Sequence, residues 1–215
     1  MDFRTLVQKR LRCAYVSLSP REETLVTSII HNREGVNRVL GKDAPANASR
    51  EYLYYLGVCH LRHKHSGGYT LLMSAAKADC GAAWWELSLL SDQVDTQLCC
   101  RIKAYALDCD LAITYAHSNP EEFSMDLMNL VLACQDDVDS MCLKALMKIA
   151  MQPAMKYIVE ILSSEHFCRA VSVAHKDRAD ILALLHTLLP DVPDDSDRAY
   201  NQISRDMICH RWHLV

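Results

Sequence analysis

The chain has 215 residues, of which half are hydrophobic and 23% are charged, and it contains only six glycines and six prolines. This length is sufficient for one or two domains with a sizeable core, and the composition is ordinary for a folded chain. Because sheets and barrels need many turns, the few glycines and prolines favour long helices. The net charge of −4 argues against a general nucleic-acid-binding protein, which would carry a basic excess.

The ten cysteines are scattered over helix-like segments rather than spaced through a loop-rich frame. Met1 is followed by Asp2 and Arg4, without the apolar run of a signal peptide. We therefore expect reduced, buried thiols in a cytoplasmic protein, in an intracellular and reducing compartment. No apolar run approaches the ~20 residues that cross a bilayer, so we also predict no membrane span.

The N-terminal region begins with an amphipathic pattern over residues 2–16, which predicts a helix with a positive face. Such a helix is either a docking arm for an acidic partner or a membrane surface, or an end-capping helix with solvated charges. Ser19, Pro20 and Glu22 are typical of a helix start with a capping box. Residues 42–48 are the predicted linker.

The stretch Glu51–Asp92 predicts three helices, separated by a glycine-containing loop and by a tight break at Cys80-Gly81. The two breaks are short, so neighbouring helices are expected to be antiparallel. Small residues are expected where these helices touch, namely Gly57, Ala75, Ala76, Ala82 and Ala83.

The remaining chain also reads as helical. Residues 95–117 predict a helix in which Asp108 and Asp110 lie on other faces or mark a break. A new start signal follows at residues 119–122. The later predicted helices are one that begins near Val138 and is broken by Pro153, one that starts at Pro153 and ends at Ser163-Ser164, one over 165–175, one over 178–189, and a closing helix over 195–213.

No stretch shows sustained alternation of apolar and polar residues, so we predict an all-α fold. Short helices joined by short breaks favour an α-solenoid of stacked antiparallel helix pairs over a four-helix bundle. The predicted organisation is a single all-helical domain over 1–215, with an N-terminal cap at 1–41, a repeat-like body at 48–189 and a C-terminal helix at 195–213.

Residues 51–92 resemble one unit of the Sel1-like subclass of tetratricopeptide-type repeats. The matching residues are Leu56, Gly57, Ala75, Ala76, Ala83 and Leu87. Asp79 stands where the family usually has glycine, and no second copy is legible. Gly68–Leu72 with Ala75 and Ala76 also give partial support to an ankyrin repeat. The Sel1-like resemblance implies an adaptor surface for other proteins and no catalysis.

Two clusters of metal-capable side chains are candidate zinc sites. The first comprises Cys59, His60, His63, His65 and, across the helix pair, Cys80, but zinc usually takes two ligands from each of two short motifs. Histidines at a helix end also interact favourably with the helix dipole. The second cluster lies on the closing helix, where Cys209, His210 and His213 supply too few ligands from one helix. We therefore predict no metal site and no cofactor.

A thiol hydrolase is a further alternative, because cysteine and histidine are plentiful. No cysteine is expected at a helix N-terminus, where its pKa would fall. The paired acids lie at helix boundaries, where capping explains them, and no phosphate-binding loop, GxSxG or HExxH motif is present. We therefore predict that the protein is not an enzyme.

The adjacent Trp84 and Trp85 point about 100° apart on a helix, so either their helix is central or one ring lies on a partner surface. The predicted partner-binding residues are Tyr55, Trp84, Trp85 and Tyr105. The favoured function is a non-catalytic protein–protein interaction or scaffold protein built from helical repeats. The alternatives are a structural subunit of a large assembly, such as a virion or organelle complex, and a small zinc or thiol enzyme.

Overall fold

The structure is a computed structural model that describes residues 1–31, 47–119, 122–123, 125, 138–151, 157–193 and 195–214. Its internal contacts divide the chain into two compact units, Met1–Pro120 and Glu121–Val215. We describe each unit by itself, and the predicted single domain over 1–215 stays a prediction.

The first unit is helical throughout its described part. Its helices are α1 (Phe3–Arg10), α2 (Pro20–His31), α3 (Arg50–Arg62), α4 (Gly68–Lys77), α5 (Gly81–Leu90), α6 (Val94–Ala106) and α7 (Asp110–Ser118). The three helices predicted for residues 51–92 are therefore confirmed, as is a break between α6 and α7.

The second unit is also mostly helical, but it contains one pair of two-residue strands. Its elements are β1 (Val138–Asp139), α8 (Ser140–Ala150), α9 (Tyr157–Ser163), α10 (Glu165–Ala170), β2 (Val171–Ser172), a 3-10 helix (His175–Asp177), α11 (Arg178–Leu188) and α12 (Asp195–Arg211). The strands are parallel, with Val138 opposite Val171. The helical fold class is thus confirmed, and solenoid stacking stays a prediction.

Several predicted boundaries were wrong. The N-terminal helix ends at Arg10 rather than near residue 16, because Arg12 takes a left-handed conformation (φ 50°) that stops the helix. Val138 begins a strand, and the helix predicted over 165–175 ends at Ala170 where β2 starts. Most of the predicted linker (42–46), the start signal at 120–121 and the helix break at Pro153 lie outside the described residues.

The predicted capping box at the start of α2 is confirmed. The Ser19 hydroxyl donates to Glu22 Oε2 at 2.6 Å, and the Glu22 N–H donates to Ser19 Oγ at 3.4 Å. The Ser19 N–H donates to the same carboxylate at 3.3 Å. These bonds satisfy amides that a helix start otherwise leaves without partners.

Helices α3 and α4 are antiparallel and approach each other closely. A Cβ on Gly57 would lie 2.9 Å from Leu72 Cγ, and one on Gly68 would lie 2.8 Å from Leu61 Cγ. These two pairs are placed symmetrically about the connecting loop, as an antiparallel hairpin requires. Ala75 and Ala76 are fully buried, so small residues do lie in the interior of this region as predicted.

The turns that follow α4 and α6 have the same backbone design, 29 residues apart. After α4, the N–H of Cys80 donates to Ala75 O (3.1 Å) and that of Asp79 to Ala76 O (3.0 Å). After α6, Cys109 donates to Ala104 O (3.0 Å) and Asp108 to Tyr105 O (3.1 Å). Asp79 and Asp108 are both left-handed, with φ of 63° and 56°. Each turn is therefore a Schellman motif with aspartate where glycine is usual.

The sequence around these turns repeats with the same spacing. Both copies read Ala-x-x-x-Asp-Cys-x-x-Ala, and their matching residues are Ala75, Asp79, Cys80 and Ala83 in the first and Ala104, Asp108, Cys109 and Ala112 in the second. The four alanines are buried. Within the first unit, this turn and the sequence pattern thus occur together twice, whereas the same backbone turn after α3 has Lys64 at its left-handed position and lacks the pattern.

In the second unit, the core lies among α8, α9, α11 and α12. Leu143, Met147, Ile158, Leu162, Ile181 and Trp212 are all but inaccessible to solvent. The Trp212 ring packs edge-on against Phe167, with ring centroids 6.4 Å apart. Of the apolar residues on α12, Ile208 is buried but Ile203 is 68% exposed.

No helix in the described parts of the chain is both long enough and apolar enough to cross a membrane.

The equivalence of the two turns can be tested by substitution at their left-handed positions. We expect Asp79→Val and Asp108→Val each to lower the free energy of unfolding by about 1–2 kcal/mol, because a β-branched side chain is strained at positive φ. Urea denaturation of both variants measures the effect.

Asp79→Asn and Asp108→Asn are the matched controls, because asparagine tolerates the left-handed conformation. The two positions are expected to respond alike. A large loss at one position and none at the other would contradict the equivalence.

Candidate interaction surface

The four predicted partner-binding residues are divided between the interior and the surface of the first unit. Tyr55 and Tyr105 are buried, at 0% and 8% exposure, whereas Trp84 and Trp85 are half-buried. Partner binding by these residues is still a prediction. The positions of Tyr55 and Tyr105, however, make them interior residues, so they do not contribute to an exposed surface.

Tyr55 is engaged by the chain's own N-terminal segment. Its hydroxyl donates to Val16 O at 2.7 Å and accepts from the Val16 N–H at 2.6 Å. Tyr54 donates to Ala14 O at 3.2 Å, and Arg62 Nε donates to Leu11 O at 3.0 Å. Side chains of α3 thus bond the backbone of residues 11–16, which we call the strap. This explains why two tyrosines can be fully buried without losing their hydroxyl partners.

An ion pair between the exposed Arg62 and the buried Glu86 joins α3 to α5. Glu86 has 3% of its side chain exposed, and its Oε2 lies 3.4 Å from Arg62 Nη2. Burial raises the pKa of the Glu86 carboxyl, and Arg62 opposes this effect only in part. Because Arg62 also binds the strap, the pair connects residues that are far apart in sequence.

The half-buried tryptophans each lie next to a cation or an aromatic ring. Lys103 Nζ lies 5.0 Å from the centroid of the Trp84 ring. The Trp85 and Tyr115 rings are 6.0 Å apart and tilted by 55°. Arg101 Cζ lies 4.9 Å from the centroid of the Tyr115 ring, and its Nη1 donates to the Tyr115 hydroxyl at 3.1 Å. Two cation–π contacts and one aromatic pair thus connect α5, α6 and α7.

The helix ends on either side of the connection between α5 and α6 expose three large apolar side chains within six residues. Leu89, Leu90 and Val94 are 57%, 41% and 65% exposed. The connection between α3 and α4 has the opposite character, since residues 62–67 include arginine, lysine and two histidines. An exposed apolar cluster of this kind is typical of an interaction site.

The structure gives no support to the two candidate zinc clusters. Among the residues that the structure describes, no group of three or more histidine, cysteine, aspartate or glutamate side chains could hold a metal ion. His60 is 5% exposed, and its ring lies edge-on to His65 with centroids 6.0 Å apart. Burial lowers the pKa of His60, so its ring is neutral near pH 7.

The expectation that no cysteine lies at a helix N-terminus was wrong. Cys80 and Cys109 are the N-cap residues of α5 and α7, again 29 residues apart. Burial nevertheless raises the pKa of Cys80 to about 11, and amides of Ala82 and Ala83 counteract this only in part. Burial likewise raises the pKa of Cys109. Both thiols are therefore protonated near pH 7 and poor nucleophiles.

The other described cysteines are also free thiols, and most of them are buried. Burial raises the pKa of Cys13 and Cys59 to about 12 and that of Cys100 to about 11. Buried thiols of this kind pack as small apolar side chains.

Sequence reasoning did not identify Arg101, Lys103 and Tyr115, which form the cation–π and aromatic contacts around Trp84 and Trp85. A signal was present, because the spacing of the two Ala-x-x-x-Asp-Cys-x-x-Ala copies aligns α6 with α4 and α7 with α5. In that alignment Arg101 corresponds to Leu72, so a cation stands where the first copy has a fully buried apolar residue.

No protein-family model matches the chain, and neither the curated proteins nor the solved structures contain a match.

The role of Tyr55 in holding the strap leads to a test of stability. We expect Tyr55→Phe to lower the free energy of unfolding by about 1–3 kcal/mol, because the part-buried Val16 N–H and C=O lose their partner. Urea denaturation followed by circular dichroism gives the value.

Tyr69→Phe is the matched control, since Tyr69 is 55% exposed on α4. It should leave stability unchanged within about 0.5 kcal/mol. If the two variants behave alike, the strap is not held by the Tyr55 hydroxyl.

Glu86 leads to a pH-dependent prediction. Its folded pKa lies above its unfolded value near 4.5, so between these two values the folded state binds more protons and Glu86 lowers stability as pH rises. The free-energy advantage of Glu86→Gln over wild type should therefore grow as pH rises above about 4.5 and then level off, by about 1.4 kcal/mol per unit of pKa shift.

Urea titrations at several pH values between about 4 and 8 give this difference. Glu51→Gln, which removes a much more exposed carboxylate, provides the control (24% against 3% exposed). A difference between Glu86→Gln and wild type that does not change with pH would show that Glu86 ionises as it does in the unfolded chain.

Proposed function

We propose that the protein is a non-catalytic protein–protein interaction or scaffold protein, whose first unit consists of helical repeats of the Sel1-like or tetratricopeptide type. The observation that carries the proposal is the exposed apolar cluster of Leu89, Leu90 and Val94 at the connection between α5 and α6. These two helices form a hairpin that resembles the preceding hairpin of α3 and α4. In such repeats the interior positions hold the helices together, and the connections and outer faces are available for partners.

The repeat assignment is supported by the 29-residue correspondence between the turns at Asp79 and Asp108. It is also supported by the close approach at Gly57, which belongs to the Leu-Gly pair of the Sel1-like resemblance. Helix pairs of this kind bury their apolar faces by stacking on neighbouring pairs.

The absence of catalysis is supported by the chemistry of the described residues. The buried thiols have raised pKa values, and His60 is a neutral, buried ring. A nucleophilic thiol requires the reverse, an exposed sulfur with a lowered pKa. The proposed partners are proteins rather than nucleic acids, in keeping with the net charge of −4.

A structural subunit of a larger assembly is the second candidate function. The second unit favours it, because Tyr200 and Ile203 on α12 are 59% and 68% exposed. A subunit of a particle would use apolar surfaces of both units, whereas an adaptor would depend on the apolar connection of the first.

Affinity purification from the native source tests both candidates. We expect proteins that co-purify with the tagged wild-type chain to be lost with Leu89→Lys/Val94→Lys, because a charge prevents apolar contact at the connection. Both residues are exposed, so the melting temperature should stay within a few degrees of wild type. Quantitative mass spectrometry measures the co-purifying proteins.

Tyr200→Lys/Ile203→Lys is the matched double variant in the second unit. If it leaves the co-purifying set unchanged, the adaptor function is supported; if both double variants lose it, the assembly function is favoured. A wild-type chain that purifies alone, or a set that survives the first double variant, would contradict the proposed adaptor.

A further inference from the structure

Arg101 is a cation without a carboxylate partner in the described part of the chain. Its Nη1 donates to the Tyr115 hydroxyl, and its Nε is buried without a hydrogen-bond partner. Elsewhere in the described chain, the buried Arg205 pairs with Asp191, whereas the half-buried Arg178 also has an Nε without a hydrogen-bond partner. A half-buried guanidinium without an anion is unfavourable, since its donors have been removed from water without full compensation.

The 29-residue correspondence relates the partner of Arg101 to the partner of Arg62. Tyr115 on α7 occupies the position that Glu86 occupies on α5, 29 residues earlier. Glu86 supplies a carboxylate to Arg62, whereas Tyr115 offers Arg101 a ring face and a neutral hydroxyl. Tyr115 therefore contacts an arginine, as Glu86 does, but it carries no negative charge.

The same-face helix neighbours of the residues around Arg101 are uncharged. On a helix, residues three and four positions apart share a face. At these positions around Arg101, Trp85 and Tyr115, no side chain is acidic or basic. Two of them are exposed leucines, Leu89 next to Trp85 and Leu111 next to Tyr115. We call Trp85, Leu89, Arg101, Leu111 and Tyr115 the Arg101 surface.

We propose that the Arg101 surface binds an acidic peptide segment of a partner protein, in which an aspartate or glutamate lies beside an apolar residue. The segment's carboxylate pairs with the Arg101 guanidinium, which offers donors that the Tyr115 hydroxyl does not use. Its apolar side chain packs on Trp85 and the neighbouring leucines. Aromatic residues and arginine are the residue types that most often carry the energy of protein interfaces.

Two features make this surface suited to an acidic ligand. The contact with Tyr115 fixes the position of the guanidinium, so little further ordering is needed when a carboxylate binds. The partial burial of Arg101 lowers the local dielectric, which strengthens a charge-assisted hydrogen bond. The surface thus names a partner class for the protein-binding function proposed above, on which this inference rests.

A peptide selection tests the inference with the full chain. A phage-displayed library of random peptides of about twelve residues is selected on the immobilised wild-type protein at low salt, where charge pairing is strongest. We expect the enriched peptides to share an aspartate or glutamate adjacent to an apolar residue. Enrichment of neutral or basic peptides, or no enrichment, would overturn the inference.

Affinity measurements on the most enriched peptide locate the site. Arg101→Gln should weaken binding by about tenfold or more, and Arg101→Lys should retain part of the affinity, because lysine keeps the charge but loses the planar set of donors. Arg198→Gln, an exposed arginine of α12, is the control and should have no effect. Circular dichroism verifies that each variant is folded, and Arg101→Lys provides the comparison if Arg101→Gln is not.

Unchanged affinity in both Arg101 variants would place the peptide elsewhere and refute the inference. This outcome differs from a failure of the proposed function. If proteins co-purify with the chain and are lost with Leu89→Lys/Val94→Lys, but acidic peptides are not selected, the chain binds proteins by another chemistry. If no protein co-purifies, the proposed function itself is wrong.

Discussion

The hairpin of α3 and α4 depends on the absence of a side chain at Gly57. A Cβ there would lie 2.9 Å from Leu72 Cγ and 3.1 Å from the Leu72 backbone nitrogen. The second contact cannot be relieved by a rotamer change, because a backbone atom is involved, so a larger residue would force the helices apart. The close approach fixes the register of α3 and α4, and the short turn after Lys77 then determines where α5 begins.

The strap shows how side chains of a helix can supply hydrogen-bond partners to the backbone of a non-helical segment without a sheet. Residues 11–16 include buried backbone, and buried amides and carbonyls need partners. Tyrosine hydroxyls suit this task because each can donate and accept a hydrogen bond. Tyr55 uses both capacities on Val16, and Tyr54 and Arg62 bond the carbonyls of Ala14 and Leu11. Large aromatic residues of α3 therefore serve internal packing rather than an outer surface.

Local sequence signals predicted the helices, the capping box at Ser19 and the small residues between helices, because each of these depends on neighbours within a few positions. The strap contacts join residues 39 to 51 positions apart, and periodicity within a helix carries no information about them. The burial of Tyr55 was missed for this reason. The second copy of the turn was missed because only four residues in nine are identical and none is glycine.

The two copies share the residues that form their turns, whereas other matching positions differ in chemistry. Asp79 and Asp108 form the same left-handed exit, and Cys80 and Cys109 occupy the same N-cap position. Leu72 and Arg101 stand at matching positions and differ most in chemistry.

In the first copy this position closes on Gly57 and has only a packing role. In the second it carries a charge that the described residues do not neutralise. Burying part of a charge costs free energy, so packing alone gives no reason for arginine there. A ligand that supplies the missing anion would provide that reason, and this is the physical ground for placing function at Arg101 rather than at the tyrosines that the sequence first suggested.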